Sequence, residues 1–197
     1  MKRMPTNRQT GFSLLELMVT LAVAAILVVI AFPSMRDFMR RNHVVAQSNG
    51  IQSDLQLARG QAAATRVYVS ICPLATAGTT TCDTSGTSYD LGWLVYTSSA
   101  PNSAYSSATD ELEHVEPATD NITVRVSNGG VLTYNSRGEL IVGGSSTTSA
   151  SFKTCAKADS SDSLGKSTAV VPGIQLDVAN SGRIASSKLD ADANCGY

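Results

Sequence analysis

The chain has 197 residues, a net charge of −1 and only 16% charged residues. This length accommodates one domain of ordinary size with an appendage and excludes a large multidomain machine. The near-neutral charge provides no basic field to attract nucleic acid. The two His residues and one Trp leave little material for a His-based metal site or for an aromatic platform that stacks bases.

A basic leader and an apolar run come first. Residues 1–11 contain three basic residues and no acid, and 18 of the 21 residues from 12 to 32 are hydrophobic. As a helix, 21 residues cross the ~30 Å hydrocarbon core of a bilayer. The basic flank predicts a cytoplasmic N-terminus and export of the remainder. A cleaved secretory signal is the alternative, but its apolar region is usually ~7–15 residues long and residues 31–34 make a poor cleavage site.

One acid, Glu16, interrupts the apolar run. A carboxylate within a membrane span indicates function by default, although a position near the headgroups would let it reach water. Gly11 and Phe12 precede Ser13-Leu14-Leu15-Glu16, and this arrangement resembles the class III signal of type IV prepilins. The resemblance implies that prepilin peptidase cuts after Gly11 and methylates the new N-terminal Phe12. It also places Glu16 at the fifth mature position and Pro33 at the twenty-second, where pilins commonly have a helix-kinking proline.

The electrostatic cost of a charged Glu16 in the membrane is consistent with this resemblance. Cleavage after Gly11 would create a cationic amine on Phe12 at the membrane interface. In a filament, the Glu16 carboxylate of one subunit can pair with this amine on a neighbour, so that two costly charges are neutralised together. We expect Glu16 to set the axial register of the subunit. The implied partners are prepilin peptidase, other major and minor pilins or pseudopilins, and the inner-membrane assembly platform.

We predict one helix over residues 12–66, with residues 12–32 in the membrane and a kink at Pro33. An apolar face runs through Ile51, Leu55, Ala58 and Ala62, and we extend it backwards to Phe38 and Val45. The polar residues assigned to the opposite side are Arg40, Arg41, Gln47, Asp54 and Gln61. We interpret Arg36, Arg40 and Arg41 as solvated rather than as contacts for acidic neighbours or lipid.

The rest of the chain, residues 67–197, has the alternating pattern of an antiparallel β-domain, so the fold class is α+β. The predicted strands cover 67–72, 91–97, 122–126, 131–134, 139–142, 151–157, 173–178 and 183–186. Asn128-Gly129-Gly130 predicts a hairpin between the third and fourth of these, and Ser136-Arg137-Gly138 predicts one between the fourth and fifth. The acids Asp110, Glu111, Glu113 and Glu116 with His114 are interpreted as a solvated loop rather than a metal or acid–base site.

Four cysteines, Cys72, Cys82, Cys155 and Cys195, follow the membrane span. Metal-binding spacing is absent, and an even count in an exported domain indicates disulfides. Three connectivities are possible. We favour Cys72 with Cys82, which closes a loop between early strands, and Cys155 with Cys195, which ties the tail to a strand.

The exported domain also resembles the FimT/FimU and GspH group of minor pilins and minor pseudopilins, in Val69-Ser70-Ile71-Cys72, in Gly92-Trp93-Leu94-Val95-Tyr96, in residues 131–138 and in Gly182-Arg183-Ile184. The resemblance implies a pilin-like fold and a non-catalytic subunit without cofactor or metal, at or near the tip of a type IV pilus. It implies an inner-membrane anchor with a periplasmic domain.

Two alternatives remain. One is a GspH-like pseudopilin of type II secretion. The other is a DNA-binding minor pilin, because some FimT-like proteins use a G-R-x-R motif. Here Gly182 and Arg183 match the motif, Ala185 replaces the second Arg, and Lys188 lies nearby. From residue 42 onward, the chain has 9 Lys and Arg but 14 Asp and Glu. This net negative charge is poor support for binding phosphate.

Overall fold

The computed structural model describes residues 12–143 and 149–197. The described chain forms two compact units that divide after Phe38. The predicted leader, including the cleavage position Gly11, lies outside the described residues. The first unit is helical, and the second contains the remainder of the helix and all of the described strands.

One long helix, α1 (Leu14–Thr65), begins two residues after Phe12 and is a single helical element through Pro33. Its extent agrees with the helix predicted over residues 12–66. The helix ends where Arg66 adopts a left-handed φ of 61°, while the Arg66 N–H still donates to the Ala62 carbonyl at 3.0 Å. A residue in this conformation cannot continue a right-handed helix. The kink at Pro33 stays a prediction.

The part of α1 in the second unit buries one apolar face. Its fully buried apolar side chains are Val44, Ile51, Leu55, Ala58 and Ala62. The predicted face from Ile51 to Ala62 is confirmed, but its extension through Phe38 and Val45 is wrong, because both side chains are exposed. Val44 lies seven residues before Ile51, almost two full turns, whereas Val45 is rotated by ~120° from that face.

Within the described residues, nine strands follow the helix: β1 (Tyr68–Pro73), β2 (Gly92–Ser98), β3 (Leu112–Pro117), β4 (Ile122–Val126), β5 (Leu132–Tyr134), β6 (Leu140–Val142), β7 (Ala150–Ala156), β8 (Ile174–Val178) and β9 (Ile184–Lys188). They form a five-stranded sheet in the order β3-β2-β1-β5-β6 and a four-stranded sheet in the order β4-β7-β8-β9. Every neighbouring pair is antiparallel. The predicted α+β architecture is confirmed.

Two local predictions in this domain are wrong. The acidic stretch predicted as a solvated loop contains β3, which pairs with β2 across a bulge at Val95 and Tyr96. An edge strand needs only one hydrogen-bonded neighbour, so charged side chains are compatible with it. The residues Asn128-Gly129-Gly130 do not close a hairpin, because they connect β4 and β5, which belong to different sheets. The second predicted hairpin is confirmed: β5 and β6 are paired on either side of Ser136-Arg137-Gly138.

The main core joins the buried face of α1 to both sheets. Tyr89, just before β2, is fully buried in this core and packs edge-on against Phe152 of β7, with ring centroids 5.3 Å apart. The Tyr89 hydroxyl donates to the Gly130 carbonyl at 2.8 Å. Because Tyr89 belongs to the chain between β1 and β2 but contacts the second sheet, it explains why the two sheets share one core.

Candidate functional site

The first turn of α1 is capped by a side chain. The Glu16 N–H donates to Ser13 Oγ at 3.2 Å, and the Leu17 N–H donates to the Ser13 carbonyl at 3.2 Å. Ser13 is therefore the N-cap and Glu16 the third helical residue, the positions of a capping box. The positive end of the helix dipole favours an acid there. The Glu16 side chain is exposed, so its carboxylate is accessible to a partner.

The apolar side chains of the first unit are exposed. The large apolar residues described between Phe12 and Phe38 are all more than half exposed, from Val23 at 52% to Phe12 at 83%. By length and composition, this helix could cross a membrane. Such a continuous apolar surface is unfavourable in water and is satisfied by lipid or by other apolar helices. The helix itself satisfies its backbone groups, as a membrane requires.

A polar stripe, defined as Gln47, Asp54 and Gln61, runs along α1 beside its buried apolar face. The Thr119 hydroxyl donates to Gln47 Oε1 at 2.6 Å, and Gln61 Nε2 donates to Glu113 Oε2 at 2.9 Å. The assignment of these residues to a solvated side is therefore wrong for Gln47 and Asp54, which are buried. The spacing of seven residues could have indicated a stripe with a common partner. That partner is β3 and the turn after it.

Asp54 is the centre of this stripe. The single Trp of the chain, Trp93, donates its indole N–H to Asp54 Oδ2 at 2.6 Å. His114 Nε2 lies 3.8 Å from Asp54 Oδ2 and 3.4 Å from Glu116 Oε2. Burial raises the pKa of Asp54, and the Trp93 hydrogen bond and His114 oppose this shift. The arrangement fastens β3 to α1 by charge and hydrogen bonds.

Asp54, His114 and Glu116 are also the residues that could most readily hold a cation within residues 12–143 and 149–197. One donor atom from each lies within 4.8 Å of the others, and a His nitrogen with two carboxylates is a ligand set that suits zinc. Asp54 Oδ2 also accepts the indole N–H, so the cluster is part of a hydrogen-bonded network. The absence of a metal site stays a prediction.

Two of the three basic residues after the membrane span are not simply solvated, which corrects that prediction. Arg40 Nη2 donates to the Lys157 carbonyl at 2.5 Å, and Arg41 Nη2 donates to the Val170 carbonyl. These charge-assisted bonds connect the helix to two loops of the domain. Arg36 is exposed.

Both disulfides join the residues that we favoured. Cys72 in β1 is bonded to Cys82, ten residues later, and Cys155 in β7 is bonded to Cys195, 40 residues later. The first closes a surface loop onto the five-stranded sheet, and the second holds the C-terminal segment on the four-stranded sheet. All four residues belong to the second unit.

The candidate DNA-binding residues lie at the two ends of β9. Arg183 precedes the strand and Lys188 ends it, and both are exposed. Five strand positions separate them by ~17 Å and direct their side chains to opposite faces. Arg183 lines a shallow cavity of 320 Å³ together with Asp177, and Asp177 pairs with Ala185. Among the described residues, the two cations are therefore separate, and an acid accompanies one of them.

Comparison with known proteins finds one family model and one motif model that match the chain. The family model for the type II transport protein GspH matches residues 47–172, and that for the prokaryotic N-terminal methylation motif matches residues 6–32. No curated protein matches the sequence.

Two crystal structures of the type IV minor pilin FimU from Pseudomonas aeruginosa (strain PAO1) are similar to this chain. The first has 19% sequence identity and a TM-score of 0.54, and the match covers 78% of this chain and 98% of the FimU chain. The second, in another crystal form, has 17% identity and a TM-score of 0.47 and covers 78% and 97%. At these identities the likeness is one of fold.

Proposed function

Because this chain belongs to the GspH family of minor pilins and pseudopilins and carries the prokaryotic N-terminal methylation motif, we propose that it is incorporated at or near the tip of a type IV pilus and aids its assembly. Prepilin peptidase would remove residues 1–11 and methylate Phe12. The matched families consist generally of non-catalytic subunits. We propose no enzymatic activity and no cofactor.

The observation that carries this proposal is the exposed apolar helix that begins directly after the processing motif. Its large apolar side chains are more than half exposed, and the helix is long enough to span a bilayer. Before assembly, lipid would cover this surface, with the N-terminus in the cytoplasm and residues 67–197 in the periplasm. After assembly, the helices of other pilins or pseudopilins would replace the lipid, with the assembly platform in the inner membrane as a further partner.

Glu16 and Pro33 have distinct proposed roles in this exchange. A charged carboxylate costs several kcal/mol in hydrocarbon, and pairing with the Phe12 amine of a neighbouring subunit would remove two charges at once. Glu16 is exposed in the first turn of α1, which supports its access to such a partner. Pro33, which cannot donate a backbone hydrogen bond, would allow the helix to adapt its course.

The test replaces Glu16 in the full chain in its native host. We expect Glu16→Ala and Glu16→Gln to be processed normally but to be recovered in sheared filaments at least about tenfold less than the unmodified chain, a factor equivalent to ~1.4 kcal/mol. Thr20→Ala removes another polar side chain of the same span, whose hydroxyl bonds the Leu17 carbonyl, and should be recovered within about twofold because no charge is lost.

Processing is measured from the mass of the mature N-terminus, and incorporation from immunoblots of the sheared fraction. Normal recovery of Glu16→Gln would contradict the role of the charge. Absence of the unmodified chain from filaments would contradict the proposed function itself.

The match to the GspH family model also favours a second candidate, a minor pseudopilin of type II secretion. Deletion of the gene separates the two. Loss of surface pili with normal protein secretion supports the pilus subunit, and the opposite result supports the pseudopilin. Complementation with the full chain serves as the control in both assays.

A further inference from the structure

The two sheets have four outer edges, and the edge at β4 is closed. The chain before β2 runs along it, so that the Tyr89 N–H donates to the Val124 carbonyl at 2.9 Å and the Val126 N–H donates to the Thr87 carbonyl at 3.0 Å. The Val124 N–H donates to Asp90 Oδ1 at 2.7 Å. The outward groups of Val124 and the outward N–H of Val126 are thus already paired.

The edges at β6 and β3 are closed or protected in other ways. At β6, the Leu140 N–H donates to the Asn180 carbonyl at 2.8 Å, and Asn180 Nδ2 returns a bond to the Leu140 carbonyl at 3.2 Å. β3 has a bulge opposite it, ends in Pro117 and carries acidic side chains. Bulges, prolines and charges are the features by which proteins prevent an edge strand from pairing.

β9 forms the fourth edge. Its pairing with β8 shows which of its backbone N–H and C=O groups point away from the sheet. The Leu189 N–H donates to the Gly173 carbonyl and the Ala179 N–H to the Arg183 carbonyl, so 183 and 189 are in hydrogen-bonded pairs with β8. Such pairs alternate along an antiparallel ladder. The N–H and C=O groups of Ile184, Ser186 and Lys188 therefore point away from β8.

Nothing in the described part of the chain bonds to these outward groups. β9 contains no proline and no bulge, and its first charged residue is the last one, Lys188. Most of its side chains are exposed and small. An edge with free donors and acceptors at every second residue is chemically a template for one more extended strand.

We propose that this β9 edge binds an extended segment of a neighbouring filament subunit by strand addition. The inference rests on the proposed function, which supplies a neighbour. The free backbone groups specify an extended occupant, and the exposed Lys188 at the end of the edge favours one with an acidic residue opposite it. The half-buried Ile184, which packs against the main core, offers that occupant an apolar contact.

Proline substitution at Ser186 tests this proposal in the full-length chain in its native host. Ser186→Pro removes one outward N–H and leaves the ladder with β8 intact, because Ser186 is not in a hydrogen-bonded pair. Ser186→Ala removes the hydroxyl but keeps the N–H and is the matched control. We expect recovery of Ser186→Pro in sheared filaments to fall at least about tenfold, and recovery of Ser186→Ala to stay within about twofold.

Folding is checked by protease resistance of the domain and by both disulfides on non-reducing gels. If Ser186→Pro loses that resistance, the same comparison is made with Lys188→Pro and Lys188→Ala, since the Lys188 N–H also points outward. Equal recovery of the folded proline and alanine variants overturns the proposal and leaves the proposed function standing, because the unmodified chain is still incorporated. The oligomeric state of each detergent-solubilised variant is also compared. If the unmodified chain and Ser186→Ala form a dimer that Ser186→Pro lacks, the occupant is a second copy of this chain, and the proposal is overturned.

Discussion

The two parts of α1 differ both in apolar content and in surroundings: 19 of the 25 residues from 14 to 38 are hydrophobic, but only 11 of the 27 from 39 to 65. From Phe12 to Phe38, every large apolar side chain whose exposure is described is more than half exposed, whereas Val44, Ile51 and Leu55 are fully buried. In the first part the apolar surface requires partners outside the chain, and in the second it forms the core of the chain's own domain. The comparison teaches that a helix that is apolar on all sides needs partners outside the chain, whereas a helix with a single apolar face packs on its own domain.

The largest expected effect on stability comes from removing the disulfides, which lie only in the second unit. Replacing Cys155 and Cys195 by Ser should destabilise the domain by about 4 kcal/mol, and replacing Cys72 and Cys82 by about 3 kcal/mol, because loops of 40 and 10 residues restrict the unfolded chain to different extents. Denaturant titration in detergent micelles, followed by Trp93 fluorescence, measures both.

Trp93 is the only Trp and lies in the domain, so its fluorescence reports the second unit in the full chain. Circular dichroism of the micelle-bound helix should persist after the domain has lost its fold. Simultaneous loss of both signals would contradict the independence of the two parts of α1.

The next effect compares one leucine in each part. Leu55→Ala should destabilise the domain by about 3 kcal/mol, since a fully buried Leu leaves a cavity. Leu21→Ala, at a position 62% exposed, should leave the Trp93 unfolding midpoint unchanged. A shift of that midpoint by Leu21→Ala would show that the membrane part contributes to the domain core.

A narrower comparison uses adjacent residues at the start of the domain part. Val44 is fully buried and Val45 is 41% exposed. Val44→Ala should cost about 2 kcal/mol and Val45→Ala less than ~0.5 kcal/mol. Equal costs from the same titration would mean that the apolar face is not in the register described here.

The smallest expected effect concerns the polar stripe. Burial raises the pKa of Asp54 above its ordinary value of 3.8, so the folded state binds the proton more tightly than the unfolded state. The stability that protonation contributes is present below that ordinary value and is lost as pH rises through the raised pKa. The free energy of unfolding should therefore fall as the pH rises over this window.

Asp54→Asn is the matched variant, because its amide oxygen still accepts the Trp93 indole N–H but does not ionise. Subtracting its pH profile from that of the unmodified chain isolates Asp54 from the other carboxyl groups. A difference that does not change with pH would contradict the raised pKa.

Much of the fold and part of the candidate site were predictable because their signals are local. The run from Phe12, the acid at Glu16 and the periodicity from Ile51 to Ala62 specify a long helix with an apolar surface. Eight of the nine strands follow from alternating runs between turn residues. The pairing of Cys155 with Cys195 was favoured among three possible connectivities because it ties the tail to a strand, and the structure contains it.

The errors arose where two distant segments define the environment of a residue. The sequence predicts that Asp54 is exposed, but in the fold it contacts Trp93 and His114, which come from distant segments. The segment from Leu112 to Pro117 looks like a loop because its strand character depends on the β2 ladder.

The sequence by itself determined a methylation motif and a membrane-length helix joined to a disulfide-bonded β-domain, because composition, motif and periodicity are properties of neighbouring residues. Only the tertiary structure decided that Val44 rather than Val45 faces the core, that the polar stripe fastens β3, and that β9 is an open edge among the described strands. Each of these depends on which segments pair across the fold, and pairing is set by the packing of the whole domain.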